Sequence, residues 1–381
     1  MKYVDEFRDG DLARSIAKRI AAEARGERAY NLMEFCGGHT HALSRYGLTD
    51  LLPPNVNMIH GPGCPVCVLP IGRIDNAIEL AGRPGVILCT YADTVRVPAS
   101  KGGSLMRSKA RGLDIRMVYS ATDALRLAQA HPDREVVFFA IGFETTTPPT
   151  AVIILEAQRL DLPNFSVFCN HVLTPPAIVS ILDSPQVRDL GTVSIDGFIG
   201  PAHVSCVIGS QPYEYFAQQY ARPVVIAGFE PLDVMQAVLM LVRQLNEGRA
   251  EVENEFSRAV TRWGNLKAKA LMAEVFEPRR SFEWRGLGEV PCSAVRIKQR
   301  YARFDAERRY GIGYRSVPDN KACDCGAILR GLKKPRDCKL FGTVCTPDSP
   351  IGSCMVSSEG ACAAWYAYGR FRDEPAAQTT A

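Results

Sequence analysis

The chain has no run of ~18 consecutive apolar residues, so no segment of it reads as a membrane span. Its opening, MKYVDEFRDGDLARSIAKRI, mixes acids and bases from the outset and carries no apolar signal core. That pattern predicts an amphipathic surface helix in a cytoplasmic protein. Charge of one sign is scarce as well. The 45 Lys and Arg stand against 41 Asp and Glu, and the formal net charge of +4 is spread along the chain, which argues against a nucleic-acid groove. Low-complexity tracts are missing, and 46% hydrophobic with 23% charged residues is the composition of a globular protein. At 381 residues the chain exceeds one ordinary core, so two or three domains are expected.

Two motifs are absent in an informative way. There is no C-x-x-x-C-x-x-C triplet, which excludes radical S-adenosylmethionine chemistry. GFETTTPP (142–149) has neither the glycine repeat nor the lysine of a phosphate loop. What is present in quantity is cysteine. A secreted disulfide scaffold would be short and would carry a leader, so thirteen cysteines here need another reason. Six of the thirteen fall between Cys323 and Cys362, and that clustering favours metal binding or redox chemistry.

From about residue 29 short apolar runs alternate with amphipathic stretches, the signature of βα units. YNLMEF (30–35), NVNMIH (55–60) and GVILCTY (85–91) read as strands, with a helix over 71–85 between the last two. A second series of strands covers 114–119, 135–144, 165–170, 196–201 and 223–230, interleaved with the helices 122–131 and 149–160. The strands are nearly continuous apolar runs, as in a parallel sheet covered on both faces. The text after Glu230 reads as helical through residue 263 and then as irregular and cysteine-rich. The expected architecture is therefore α/β: two doubly wound, Rossmann-like domains plus a C-terminal helical, cluster-bearing domain. The expected boundaries are an N-terminal helix at 1–28, a first α/β domain at 29–113, a second at 114–232 and a C-terminal domain at 233–381.

Three constellations carry possible chemistry. In EFCGGHTHALSRYG (34–47), Cys36 follows a strand and faces the start of a helix, whose unpaired N–H groups favour thiolate. His39 and His41 offer ligands or protons there, although a buried cysteine beside two solvated histidines has the same text. In HGPGCPVCVLP (60–70), Cys64 and Cys67 also sit between a strand and a helix. Adjacent parallel strands deliver such turns to one sheet edge, so Cys36, Cys64 and Cys67 are expected in one cleft. A C-x-x-C is a redox dithiol, half of a zinc site or packing, and the pair alone leaves all three open. The third constellation is the tail, with Cys323, Cys325, Cys338, Cys345, Cys354 and Cys362. It has no zinc-ribbon knuckles, and its wide spacings suit an iron–sulfur cluster with two thiols left over. Glu144, ending a strand among threonines, is a cleft candidate or a cap for the helix that Pro148 opens. Cys89, Cys169, Cys206 and Cys292 read as core.

Taken together, CGGHTH (36–41), GPGCPVCV (61–68), GFETTTP (142–148) and the six-cysteine tail resemble the HypD family of hydrogenase maturation factors over about residues 30–370. The resemblance implies a scaffold on which the Fe(CN)2CO group of nickel–iron hydrogenases is built. It implies HypC as a direct partner sharing the iron, HypE as the cyanide donor, and the hydrogenase large subunit as the recipient. It further implies that Cys36 ligates the iron, with His39 beside it, and that Cys64 and Cys67 form the redox dithiol. A 4Fe-4S cluster is implied in a setting similar to ferredoxin:thioredoxin reductase. Its implied ligands are Cys323, Cys338, Cys345 and Cys362, with Cys325 and Cys354 as a dithiol; exchanging Cys323 with Cys325 remains open. The alternative function is a freestanding iron–sulfur disulfide reductase.

Overall fold

A computed structural model describes residues 4–185 and 194–371. The outer ends of the expected first and last segments, residues 1–3 and 372–381, lie outside the described residues.

Nine strands form two parallel sheets. The first holds β1 (Tyr30–Glu34), β2 (Val56–His60), β7 (Gly197–Pro201), β8 (Val224–Ala227) and β9 (Val252–Asn254) in the order β2-β1-β7-β8-β9. The second holds β3 (Val86–Thr90), β4 (Ile115–Met117), β5 (Glu135–Gly142) and β6 (Phe165–His171) in the order β4-β3-β5-β6. Every strand expected from the apolar runs is present, and each is followed by a helix or turn on its sheet.

The strands do not group in chain order. β3 leaves β1 and β2 and pairs with β4, Leu88 opposite Ile115, while β7 returns to pair with β1, Leu32 opposite Gly197. A boundary between residues 113 and 114 therefore does not separate the two sheets. The physical reason is that buried parallel strands share one composition, so the text marks a strand without marking its neighbour. The segment after 230 also departs from expectation. The helix Pro231–Glu247 covers the outer face of the first sheet, Gly248 ends it in the left-handed region (φ 66°), and β9 then pairs with β8. Farther on, two antiparallel ribbons stand where irregular chain was expected: Phe276–Pro278 with Val295–Ile297, and Ser281–Trp284 with Gly288–Pro291.

Alternation along each strand divides the apolar residues among three cores. Tyr30 and Leu32 face a core shared with the helices Gly10–Glu23 and Pro231–Glu247, while Met33 faces the centre of the molecule. Val136, Phe138 and Ala140 face the outer core of the second sheet, while Val137, Phe139 and Ile141 face the same centre. That central core also takes Cys64, Cys67, Trp284, Cys354 and Cys362. The cysteine-rich tail is thus packed against both sheets.

Arg73 fixes this arrangement. It lies on the helix Ile71–Ala81 directly after the C-x-x-C turn, is buried, and donates to Asn170, to Glu307 and to the carbonyl of Cys169 (3.0 Å). Its guanidinium stacks 4.2 Å from the Phe168 ring centroid. Arg73→Ala leaves Glu307 one partner short, with only Arg279 (2.9 Å) of that pair of arginines. The expected cost is about 3–5 kcal/mol, as for other broken buried pairs, read as a lowered urea midpoint.

Candidate functional site

Cys36 ends the extended stretch after β1 and caps the helix Gly37–Arg45, its carbonyl accepting the N–H of Thr40 at 3.1 Å. Under it lies Glu34, fully buried at the last position of β1. Its Oε2 accepts the Cys36 N–H at 2.9 Å, and its Oε1 accepts the Thr40 hydroxyl and the His60 Nδ1 (2.8 Å). A carboxylate oxygen only accepts, so the His60 proton on that side is on Nδ1. His60 ends β2 and opens the stretch that carries Cys64 and Cys67.

The two turns touch. The N–H of Gly37 donates to the carbonyl of Gly63 at 3.1 Å, and a Cβ on Gly63 would overlap the Cys36 backbone, so the close approach requires glycine there. Cys64 caps the four-residue helix Pro65–Val68, its sulfur accepting the Cys67 N–H at 3.3 Å. Cys64 and Cys67 are joined as a disulfide, with Cα atoms 5.2 Å apart. Both are buried.

Cys36 opens onto a cavity of about 290 Å³ between the carboxyl ends of the two sheets. The sheet ends supply Tyr91 after β3, Phe143 after β5, Thr174 after β6 and His203 after β7, while Asp93 and Glu359 add carboxyl groups. Ligands in open α/β sheets bind at this end. The expected thiolate-favouring effect at Cys36 is present, since the N–H groups of Gly38 and His39 lower its pKa, but burial outweighs it. Burial, then Glu359 and Glu34, push the Cys36 thiol well above its usual range. Burial also raises Asp93 and Glu359, and their mutual repulsion adds to the shift at Glu359. His203 is lowered by burial and by His39.

The expected partners of Cys36 are placed variously. His39 is fully buried, its Nε2 donating to the carbonyls of Ala227 (3.1 Å) and Gly228 (2.9 Å), which ties the helix to the end of β8. Its ring lies 5.0 Å from that of Phe229, and its Nδ1 has no hydrogen-bond partner among the described residues. His41 approaches the Ser358 carbonyl at 3.3 Å. Glu144 does not cap the helix that Pro148 opens. Its two oxygens accept the N–H (2.8 Å) and hydroxyl (2.9 Å) of Thr174, holding the start of the helix Thr174–Leu182. Sequence reasoning passed over Glu34, His60, Asp93, His203 and Glu359, because they lie singly in ordinary text.

The tail closes against the same region. Ser353 Oγ donates to the Cys67 carbonyl at 2.6 Å. A Cβ on Gly360 would lie 3.0 Å from the Cys67 sulfur and would overlap the Cys354 carbonyl. Cys325 shares thiol hydrogen bonds with Cys323, Cys354 and Cys362. The bond from Cys325 holds the Cys323 thiol down to about 7, while Cys325, Cys354 and Cys362 are raised. The Cys345 sulfur accepts the Ile351 N–H at 3.4 Å, and Cys338 lies buried on the neighbouring loop. Cys325 thus sits among Cys323, Cys354 and Cys362. Among the described residues, no three His, Cys, Asp or Glu side chains already stand as a metal site. Of the presumed core cysteines, Cys89 and Cys169 are buried, Cys206 is half-buried, and Cys292 is exposed in a turn with φ 52°. A tight turn between two ribbon strands brings Cys292 to the surface despite its apolar neighbours.

Fold and site together define a thiol-rich α/β protein in which one free cysteine and one disulfide turn meet between two parallel sheets. A family model described as "HypD: Hydrogenase formation hypA family" matches residues 11–369. The hydrogenase maturation factor HypD of Cupriavidus necator is 72% identical over 375 residues, covering 98% of this chain and 99% of that protein. The HypD proteins of Azotobacter vinelandii (70% over 372 residues; 98% of each chain) and Escherichia coli (48% over 379 residues; 98% and 100%) are similar throughout. The chain belongs to the HypD family of hydrogenase maturation factors. No helix among the described residues is long and apolar enough to cross a membrane.

Burial raises the Glu144 carboxyl from its usual 4.5 to about 7, against the lowering effect of its bonds from Thr174. The folded state therefore holds the proton more tightly than the unfolded chain. This contribution is intact below pH 4.5 and is lost as pH rises to about 7, by about 3 kcal/mol. Glu144→Gln removes that dependence. The stability difference between wild type and Glu144→Gln, measured by urea unfolding at several pH values, is expected to move in favour of the variant across this window.

Proposed function

We propose that this protein is a redox-active scaffold on which the Fe(CN)2CO group is assembled with HypC and HypE, before transfer to the hydrogenase large subunit. The observation that carries the reading is the meeting of Cys36 with the Cys64–Cys67 turn at the mouth of a cavity rimmed by carboxyl groups. The iron is the cargo. A thiol is a soft ligand, and Asp93, Glu359 and the buried Glu34 give the cavity a field that favours a cation. Cys36 gives up its proton only to a strong competitor for its sulfur, which suits a residue that stays protonated until the metal arrives. Cyanide and carbon monoxide are strong-field ligands and stabilise low-spin Fe(II). The small cavity leaves one side of the metal for a cysteine from HypC.

The implied 4Fe-4S cluster suits the donor set of the tail: six cysteines outside any disulfide, five of them buried, on short helices and the loops between them. Cys323, Cys338, Cys345 and Cys362 are the proposed ligands, with Cys325 and Cys354 as the adjoining dithiol. When bound, such a cluster supplies electrons to neighbouring thiols. This chain's own part is thiol exchange: Ser353 and Gly360 seat the Cys354 loop against Cys67, so the two thiol systems share one boundary.

Three outcomes are expected. Cys36→Ser should lose the CN and CO infrared bands of a co-purified HypC complex while association with HypC persists, because an interface outweighs one ligand. Cys64→Ala and Cys67→Ala should halt hydrogenase maturation with fold and iron–sulfur content intact; stoichiometric zinc at these cysteines, lost in both variants, refutes the redox role. A Cys36→Ser complex with undiminished bands refutes the iron role, and a freestanding reductase would need neither Cys36 nor cargo iron. In the tail, Cys338→Ala should lose iron and sulfide and Cys354→Ala should keep them; the reverse result overturns the ligand assignment.

A further inference from the structure

Basic residues gather in several short stretches, and one of these stretches lies on the cysteine-rich tail. In RGLKKPRDCK (330–339) five bases, Arg330, Lys333, Lys334, Arg336 and Lys339, accompany one acid, Asp337, so ten residues carry +4, as much as the whole chain. Lys333, Lys334, Arg336 and Lys339 are exposed. Cys338 sits in the middle of this loop, only 8% exposed. Beside the loop a groove of about 450 Å³ runs to the end of the helix Ala361–Tyr368, lined by Arg336, Phe341, Trp365, Tyr366, Arg370 and Phe371. The Arg370 guanidinium lies 4.1 Å from the Tyr366 ring centroid and 4.6 Å from that of Phe371, which is 86% exposed. Arginine stacked on a half-buried and an exposed aromatic ring is the composition of an interface centre, and a rim of lysines supplies long-range attraction.

We propose that this surface docks an acidic electron-carrier protein. Its charge selects an acidic partner, and its position selects the carrier's role. A protein seated here lies over Cys338 and over the helix that holds the buried Cys362. Cys362 shares hydrogen bonds with Cys325 and Cys354, and the Cys354 loop touches Cys67. The inference rests on the redox reading of Cys64 and Cys67. Reduction of their disulfide breaks one S–S bond, takes up two electrons and two protons and leaves two thiols. A one-electron carrier must therefore supply two electrons per disulfide in successive encounters.

The test uses the full chain with oxidised flavodoxin, an acidic flavin carrier, so that association is measured without electron flow. Binding is expected at ~0.05 M salt and is expected to vanish at ~0.5 M, where the screening length falls to a few ångström. Lys333→Glu/Lys334→Glu/Lys339→Glu should weaken it at least about tenfold, whereas Lys18→Glu/Arg19→Glu/Lys267→Glu, with the same charge change elsewhere, should leave it within about twofold. Equal weakening by both triples, salt-independent binding, or no binding at low salt overturns the proposal. Tighter binding of a DNA duplex than of flavodoxin at low salt also overturns it. A parallel thiol titration with dithiothreitol reads the redox reading alone: a Cys64–Cys67 pair that yields no new thiols removes that reading, and the carrier's role with it, while the docking result is scored separately.

Discussion

A single buried carboxylate, that of Glu34, holds the centre of this molecule. It sits at the end of β1 and gathers the Cys36 N–H, the Thr40 hydroxyl and the His60 ring, thereby joining a turn, a helix and the end of β2. A buried acid is costly unless hydrogen-bonded, and each charge-assisted bond returns roughly 1.5–3 kcal/mol, so the arrangement stands or falls as a set. Everything at the cavity inherits its position from that set. Cys36 is fixed through its backbone, and the stretch leading to Cys64 starts from a histidine fixed by the same carboxyl group.

The second constraint is the crossing of the chain between sheets. Because β3 departs to the second sheet and β7 returns to the first, the second sheet is one continuous segment inserted into the first, whose strands come from both sides of it. The C-x-x-C turn lies at the first crossing, between the end of β2 and the helix Ile71–Ala81 that leads to β3. Arg73 clamps that helix to the second sheet through Asn170 and the Cys169 carbonyl. A turn at a crossing is packed on two sides, which explains why both of its cysteines are buried while the turn still borders a cavity.

Burial also decides the acid–base character of the site. A helix start lowers a thiol's pKa, and at Cys36 the two N–H groups do act in that direction. Loss of water around the sulfur acts in the other direction with greater weight, and two neighbouring carboxyl groups add to it. The same loss of water raises Asp93, Glu144 and Glu359. The carboxyl groups that line the cavity, Asp93 and Glu359, thus hold their protons more tightly than exposed ones would.

The sequence by itself determined eight of the nine parallel strands, the α/β class and the family, because apolar runs and cysteine motifs are local properties of the text. It placed Cys36 beside Cys64 and Cys67 by a general rule about strand ends. The tertiary structure alone decided which strands are neighbours, since burial on both faces erases the pattern that would distinguish a partner. It turned His39 toward β8 and set Glu144 to capping a helix thirty residues on. It brought Asp93, His203 and Glu359 to the cavity beside Cys36 from three separate stretches of chain. No spacing rule reaches that far: such contacts are made by packing, and packing is a property of the folded whole.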